Sequence, residues 1–193
     1  MQKYLFIGLC VLSACVNDTA YDSSVPVTVL HLEELYEVNP DEVSVEEMAE
    51  QYGYFWEVYR QHIISLPADD TFADSLRAFQ QNEDYQEAYA QLKKNFGQYD
   101  AKELKQGLQR YHHYFPERLI PNIVTFYGGF NYPVVATDSV LGVGLELFLG
   151  KDAPYYEALA QKYPRYMHQQ FQSDYLPALA MKGWLETEFP LPL

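Results

Sequence analysis

One long apolar segment constrains the fold more than any other feature of this chain. Residues 129–150 read GFNYPVVATDSVLGVGLELFLG, and only Asp138 and Glu146 in this run are charged, although the whole chain has 27 acidic and 13 basic residues. Burial of apolar surface is the dominant favourable contribution to folding, so a run of this kind belongs in a core. We predict an extended piece at 131–135, a turn, and a buried helix at 140–149.

The polar and glycine residues of this segment are compatible with that prediction. Asp138 or Ser139 can be the N-cap of the helix, and we interpret Ser139 as a cap because no G-x-S-x-G motif surrounds it. Gly142 and Gly144 each cost about 1 kcal/mol relative to Ala inside a helix, which is tolerable where another backbone packs closely. Their G-x-G pattern lacks the G-x-G-x-x-G continuation, so it does not indicate nucleotide binding.

The N-terminus has the pattern of a lipoprotein export signal. Lys3 precedes an apolar run at 4–12, which has the length of a signal-peptide core and is shorter than the roughly 20 residues that span a bilayer. A branched apolar residue and two small residues then precede a Cys, and this order forms a bacterial lipobox. We predict that the thiol of the Cys is lipidated and that its several acyl chains hold the protein stably on a membrane. The lipobox residues are Leu12, Ser13 and Ala14, and the lipidated residue is Cys15.

This interpretation divides the chain into three parts. Residues 1–14 are the signal peptide, 15–26 are the lipidated Cys with a short polar tether, and 27–193 are one domain. We expect this domain to be incomplete at its C-terminus, because FPLPL is an unusual end for a domain. Cys10 leaves with the signal and Cys15 carries lipid, so no thiol is left for a disulfide, a nucleophile or a metal site.

The charge of the predicted mature chain excludes one class of partner. One of the 13 basic side chains, Lys3, leaves with the signal, so 12 remain against 27 acidic ones, a side-chain charge of −15. Such an excess repels polynucleotides and anionic lipid surfaces. We therefore expect no nucleic-acid partner.

The first half of the domain has the spacing of amphipathic helices. A strand is predicted at 25–32, where Val alternates with Pro or Thr. Ser44 and Glu47 form a capping box, after which apolar residues recur at helical spacing as far as Leu66. Three further helices are predicted between positions 72 and 111.

The second half mixes strands and helices. The β-branched segment 119–127 and the extended piece 131–135 flank a glycine pair, which predicts a hairpin. A last helix is predicted from Pro177 to about Glu188. The sequence thus indicates an α+β fold, a mostly helical domain with a small sheet.

The aromatic residues around Gly128-Gly129 are the main candidate for a functional surface. A glycine turn flanked by amphipathic aromatic side chains can lie at a surface used for a partner. The alternative is that these rings belong to the core. The candidate interaction turn consists of Phe126, Tyr127, Phe130, Asn131, Tyr132 and Asp138.

Residues 1–193 contain no catalytic or metal-binding motif. A zinc peptidase helix needs two His four residues apart with a Glu beside the first, as in H-E-x-x-H, and the five His residues do not provide this. His112 and His113 are adjacent and point about 100° apart on a helix, which suits one ion poorly. His31 lies near Glu33 and Glu34, a group that we interpret as a solvated acidic edge. We expect no metal, no cofactor and no enzymatic activity from these residues.

Several segments resemble the gliding-motility lipoprotein B (GldB) family. The most specific is FNYPVVATDSVLGVGLELFLGKDAPYY at 130–156. The lipobox, the first strand and the segment YGYFWEVYRQHI at 52–63 support it, as do a Tyr-Pro pair, QSDYLP and MKGWLETEFP near the C-terminus. Two departures are the His-Leu-Glu sequence at 31–33, where the family has an Arg-Phe-acid run, and the absence of the family's helical C-terminal portion.

The resemblance implies an outer-membrane lipoprotein that faces the periplasm. It implies a role in the gliding machinery and the associated secretion apparatus, with other envelope proteins as partners and no established enzymatic activity. More distantly, the architecture is similar to zinc metallopeptidase-like domains. Two alternatives stay open: a periplasmic metallopeptidase-like enzyme whose metal-binding helix lies beyond residue 193, and a generic lipoprotein binding module.

Overall fold

The computed structural model of the protein describes residues 21–159 and 161–190. The predicted signal peptide and lipobox, with Leu12, Ser13, Ala14 and Cys15, lie outside the described residues.

A four-stranded mixed sheet forms the centre of the described chain. The strands are β1 (Val29–His31), β2 (Asn122–Phe126), β3 (Val134–Ala136) and β4 (Val140–Gly144), in the order β1-β2-β4-β3. β1, β2 and β4 are parallel, and β3 pairs with β4 in the antiparallel direction. The carboxyl ends of the three parallel strands therefore lie at one edge of the sheet.

Helices make up most of the rest of the described chain. They are α1 (Val45–Tyr52), α2 (Tyr54–Val58), α3 (Phe72–Gln81), α4 (Glu83–Phe96), α5 (Lys102–Tyr114), α6 (Tyr155–Ala158), α7 (Arg165–His168) and α8 (Leu176–Glu188). A π-helix spans Tyr59–Ile63, and short 3-10 helices span Leu32–Glu37, Pro40–Glu42, Leu145–Phe148 and Ser173–Tyr175. The prediction of an α+β, mostly helical fold with a small sheet is confirmed.

The sheet lies between two helical layers. In β2, Ile123 packs with α4, α5 and α8 on one face, while Val124 and Phe126 pack with α2 and α3 on the other. Both faces of a central parallel strand are buried in this way, so its side chains are apolar on both sides.

The predicted helix at 140–149 is wrong, although its burial is confirmed. Val140–Gly144 forms β4, and Leu145–Phe148 forms a 3-10 helix. The two glycines allow close packing against the sheet. A Cβ on Gly142 would lie 2.5 Å from the Phe55 ring, and one on Gly144 would lie 2.4 Å from the Tyr132 carbonyl oxygen. Close approach of α2 and of the neighbouring backbone therefore requires glycine at both positions.

The predicted hairpin is also different in the structure. β4 lies between β2 and β3, so the segments 119–127 and 131–135 do not pair with each other. The hairpin instead joins β3 to β4, and the Thr137 N–H donates to the Val140 carbonyl oxygen at 2.9 Å. Asp138 and Ser139 consequently form an exposed hairpin turn and cap no helix.

The helix predicted from Ser44 to Leu66 begins as expected and is then interrupted. The Ser44 hydroxyl accepts the Glu47 N–H at 3.1 Å, which confirms the N-cap. Gly53, with a φ of 57°, ends α1, because this left-handed conformation favours glycine. The chain continues as α2 and the π-helix, so three short pieces replace one long helix.

Candidate functional site

Two buried carboxylates and a glycine turn meet at the carboxyl ends of the parallel strands. Glu33 follows β1, the turn at 127–131 follows β2, and Glu146 follows β4. In open sheets with parallel strands, this edge is where ligands commonly bind. Here protein side chains cover this edge, and the carboxylates of Glu33 and Glu146 lie in the protein interior.

Glu146 holds the glycine turn from inside. Its side chain is 0% exposed, and its Oε1 accepts the N–H groups of Gly128 at 2.9 Å and Phe130 at 3.0 Å. Gly129 and Phe130 have φ values of 62° and 64°, and this left-handed pair belongs to the turn whose N–H groups converge on the carboxylate. Within the described part of the chain, Oε2 has no hydrogen-bond partner.

The environment of Glu146 disfavours its charged form. Burial raises the pKa of this carboxyl to about 7, and the nearby Glu33 acts in the same direction, while the backbone N–H groups oppose the shift. Near neutral pH the group is therefore present in both protonation states.

Glu33 is the second buried carboxylate. It is 3% exposed. Its Oε1 lies 2.9 Å from Nδ1 of His31, and its Oε2 accepts the hydroxyl of Thr125 at 2.6 Å. The interpretation of this segment as a solvated acidic edge is thus wrong for Glu33, because the 3-10 helix at Leu32–Glu37 turns its side chain onto β2. The sequence alone does not distinguish the side chains of Glu33 and Glu146 from surface acids, since only tertiary contacts place these carboxylates in the interior.

The predicted aromatic surface lies in the core. Phe126, Tyr127 and Phe130 are buried, which corrects the prediction that these rings form an accessible interaction turn. The Tyr59 hydroxyl donates to the Tyr127 carbonyl oxygen at 2.7 Å, and the Tyr127 hydroxyl donates to the carbonyl oxygen of Tyr85 at 3.0 Å. Phe126 packs in the cluster with α2 and α3, and Tyr127 and Phe130 pack in the cluster with α4, α5 and α8.

Only part of the candidate interaction turn reaches solvent. Asn131 is half-buried, and its Nδ2 donates to the Ile63 carbonyl oxygen at 2.7 Å. Tyr132 is 45% exposed. Lys162 Nζ donates to Asn131 Oδ1 at 2.9 Å and lies 5.4 Å from the Tyr132 ring centroid. We call Tyr132 and Lys162 the Tyr132 surface. Asp138 is exposed at the other end of β3, so the structure does not bring it to this surface.

The described residues contain neither a cluster of metal-ligating side chains nor a membrane-spanning helix. In the described ranges, no group of three or more His, Cys, Asp or Glu is arranged to hold a metal ion. No helix in the same ranges combines the length and apolar character needed to cross a bilayer.

The comparisons with known proteins identify the family. The sequence model described as gliding motility protein GldB matches residues 16–192. The chain therefore belongs to the GldB family, a lipoprotein family of the gliding motility machinery in the cell envelope, and this confirms the resemblance. Searches of curated proteins and of solved structures each gave no match. The similarity to zinc metallopeptidase-like domains accordingly has no support.

Proposed function

We propose that this protein is a lipid-anchored, non-enzymatic component of the gliding motility machinery and of the protein secretion apparatus associated with it. The family match over residues 16–192 is the observation that carries the proposal. The Leu-Ser-Ala-Cys sequence at 12–15 supplies the anchor. In this proposal Cys15 holds the protein on the outer membrane, and the domain faces the periplasm.

The interior chemistry supports a structural role for the acidic groups. Glu146 binds two N–H groups of the glycine turn, and Glu33 bonds Thr125 of the neighbouring strand. Buried hydrogen bonds of this kind fix local backbone geometry. Both carboxylates are therefore used to assemble the sheet edge.

The Tyr132 surface is the proposed site of contact with a partner from the same machinery. Tyrosine has a large apolar ring and a polar tip, and it is enriched at protein interfaces. The ring of Tyr132 is exposed beside the Lys162 ammonium, and Tyr132 directly follows the Glu146-bound turn in the chain. An exposed Tyr side chain has only two rotatable bonds and therefore loses little conformational entropy on binding.

Replacement of Cys15 tests the anchor. We expect Cys15→Ala to lose incorporation of labelled palmitate and to leave the membrane fraction, whereas Cys10→Ala, the matched control within the signal peptide, keeps both. We also expect that only Cys10→Ala restores gliding to cells that lack their own copy. Palmitate incorporation into Cys15→Ala, or a wild-type protein that is not membrane-bound, would contradict the proposal.

Replacement of Tyr132 tests the contact surface. We expect Tyr132→Ala to reduce the recovery of gliding-machinery proteins with the affinity-purified lipoprotein. Tyr175→Ala is the control, since Tyr175 has a similar exposure of 48%. Quantitative mass spectrometry of the two purifications makes the comparison. Equal recovery from both variants would exclude the Tyr132 surface, and recovery of unrelated envelope proteins alone would favour a generic binding module.

A further inference from the structure

The chain from Tyr21 to Val25 is bound to α5. Gln109 Nε2 donates to the carbonyl oxygens of Ser23 at 2.8 Å and Val25 at 2.9 Å. The Arg110 guanidinium lies 5.0 Å from the centroid of the Tyr21 ring. Three contacts thus hold this segment, which we call the docked segment, against the helix.

The docked segment limits the distance between α5 and the lipidated residue. Six residue steps separate Cys15 from Tyr21, and an extended chain covers about 3.5 Å per residue, so the link reaches about 20 Å at most. A domain of this size is about 40 Å across. The link is therefore too short for the opposite side of the molecule to lie on the membrane that holds Cys15.

The charge on this side of the molecule favours the same orientation. The outward positions of α5 follow helical spacing and include Lys102, Lys105 and Arg110. The acidic groups near them are Asp22 of the docked segment, Asp100 and Glu103. The three basic and three acidic side chains of this face balance in charge. The acidic excess of the mature chain therefore lies on other parts of the molecule. Because screening limits charge interactions to about 8 Å at physiological salt, an anionic headgroup layer meets no local excess of negative charge on this face.

We propose that the outer face of α5, with the docked segment, is the side of the protein that lies on the phospholipid bilayer. This inference rests on the proposed lipidation of Cys15. The sheet separates α5 from α2 and α3, so the α2 and α3 layer points away from the membrane. Helix α5 and the docked segment then orient the lipoprotein, and the far layer is presented to the periplasm.

Labels on opposite layers test the orientation. In the lipidated protein an introduced Cys carries the free thiol, so Gln106→Cys on α5 and Tyr54→Cys on α2 can each bear one fluorophore. The proteins are reconstituted into phosphatidylcholine–phosphatidylglycerol vesicles that contain a headgroup-attached quencher. We expect the label at position 106 to lose most of its fluorescence and the label at position 54 to keep it. Equal or reversed quenching overturns the proposal.

Release of the docked segment provides the second measurement. We expect Gln109→Ala combined with Arg110→Ala to float with vesicles as before but to lose the difference in quenching between positions 106 and 54. Arg165→Ala is the control and keeps the difference. An unchanged difference in the double variant overturns the role of docking.

Flotation of the unlabelled wild type separates the two levels of the proposal. A protein that does not float has no anchor, and this result overturns the lipidation together with the orientation. A protein that floats but shows equal quenching keeps its anchor, and only the orientation is overturned.

Discussion

At the residue scale, Glu146 shows how one buried polar group organises a turn. Isolation of a carboxylate from water is costly unless hydrogen bonds compensate for it. Two backbone N–H groups bind Oε1, while Oε2 has no partner among the described residues. The balance between these effects leaves Glu146 easily protonated, with its pKa raised by burial to about 7.

Glu146→Gln tests this balance through the pH dependence of stability. Between the ordinary pKa of 4.5 and the folded value of about 7, the folded state holds more protons, so the wild-type free energy of unfolding falls as pH rises. The pKa difference corresponds to about 3 kcal/mol. Gln keeps the acceptor oxygen and cannot ionise. From pH 5 to pH 8 we therefore expect the variant to gain up to about 3 kcal/mol relative to wild type.

Urea unfolding at the two pH values measures this difference. Glu186→Gln is the control, because it is the same substitution on the exposed side of α8, where Glu186 pairs with Lys182. The same stability difference between Glu146→Gln and wild type at pH 5 and pH 8 would show that Glu146 does not titrate in this range.

At the element scale, the identity of β4 depends on its glycines. Leu141 and Val143 fill the core on one face of this strand, and Gly142 and Gly144 leave room on the other for α2 and for the backbone before β3. The strand thus has large apolar side chains on one face and two glycines on the other, which allows α2 and the neighbouring backbone to approach closely.

Gly144→Ala tests this requirement. The new Cβ would lie 2.4 Å from the Tyr132 carbonyl oxygen, which is backbone and cannot move without a shift of the chain. We expect a loss of about 2 kcal/mol or more, as is typical of overpacking. Gly107→Ala in α5 is the control: its Cβ meets the flexible Met181 side chain at 3.1 Å, and helix propensity favours Ala by about 1 kcal/mol. Equal losses in chemical denaturation would exclude a special role for Gly144.

At the scale of the whole molecule, strands β2 and β4 contribute residues to two hydrophobic clusters, one on each face of the sheet. Trp184 belongs to the cluster with α4, α5 and α8, and Trp56 belongs to the cluster with α2 and α3. The sequence has two Trp residues, so each cluster contains one fluorescent reporter. Because β2 contributes residues to both clusters, unfolding of one cluster disrupts the packing of the other.

We therefore expect the two clusters to unfold together. Trp56→Phe leaves the reporter of one cluster, and Trp184→Phe leaves that of the other. In each variant the fluorescence transition in urea should coincide with the loss of helix measured by far-UV circular dichroism, as in a two-state process. Separate transitions in either variant would show that the helical layers unfold independently.

Local patterns in the sequence determined much of the helical part of this protein. Apolar residues at helical spacing and the Ser44 cap predicted the start of α1 and the positions of α3, α4 and α5. Pro177 lies in the first turn of α8 as predicted. The apolar run at 140–149 predicted burial, and the same region supported the family that the comparison confirmed. These features depend on residues close together in the chain, so the sequence displays them directly.

Only the tertiary structure decided between strand and helix at 140–149, and between core and surface for Glu33, Glu146 and Tyr127. A segment buried on both faces is apolar throughout and shows no period that separates a strand from a helix. The acidic residues point inward because the strand ends bring Thr125 and the glycine turn to them. Such contacts join residues distant in the chain, and their geometry exists only once the sheet has formed.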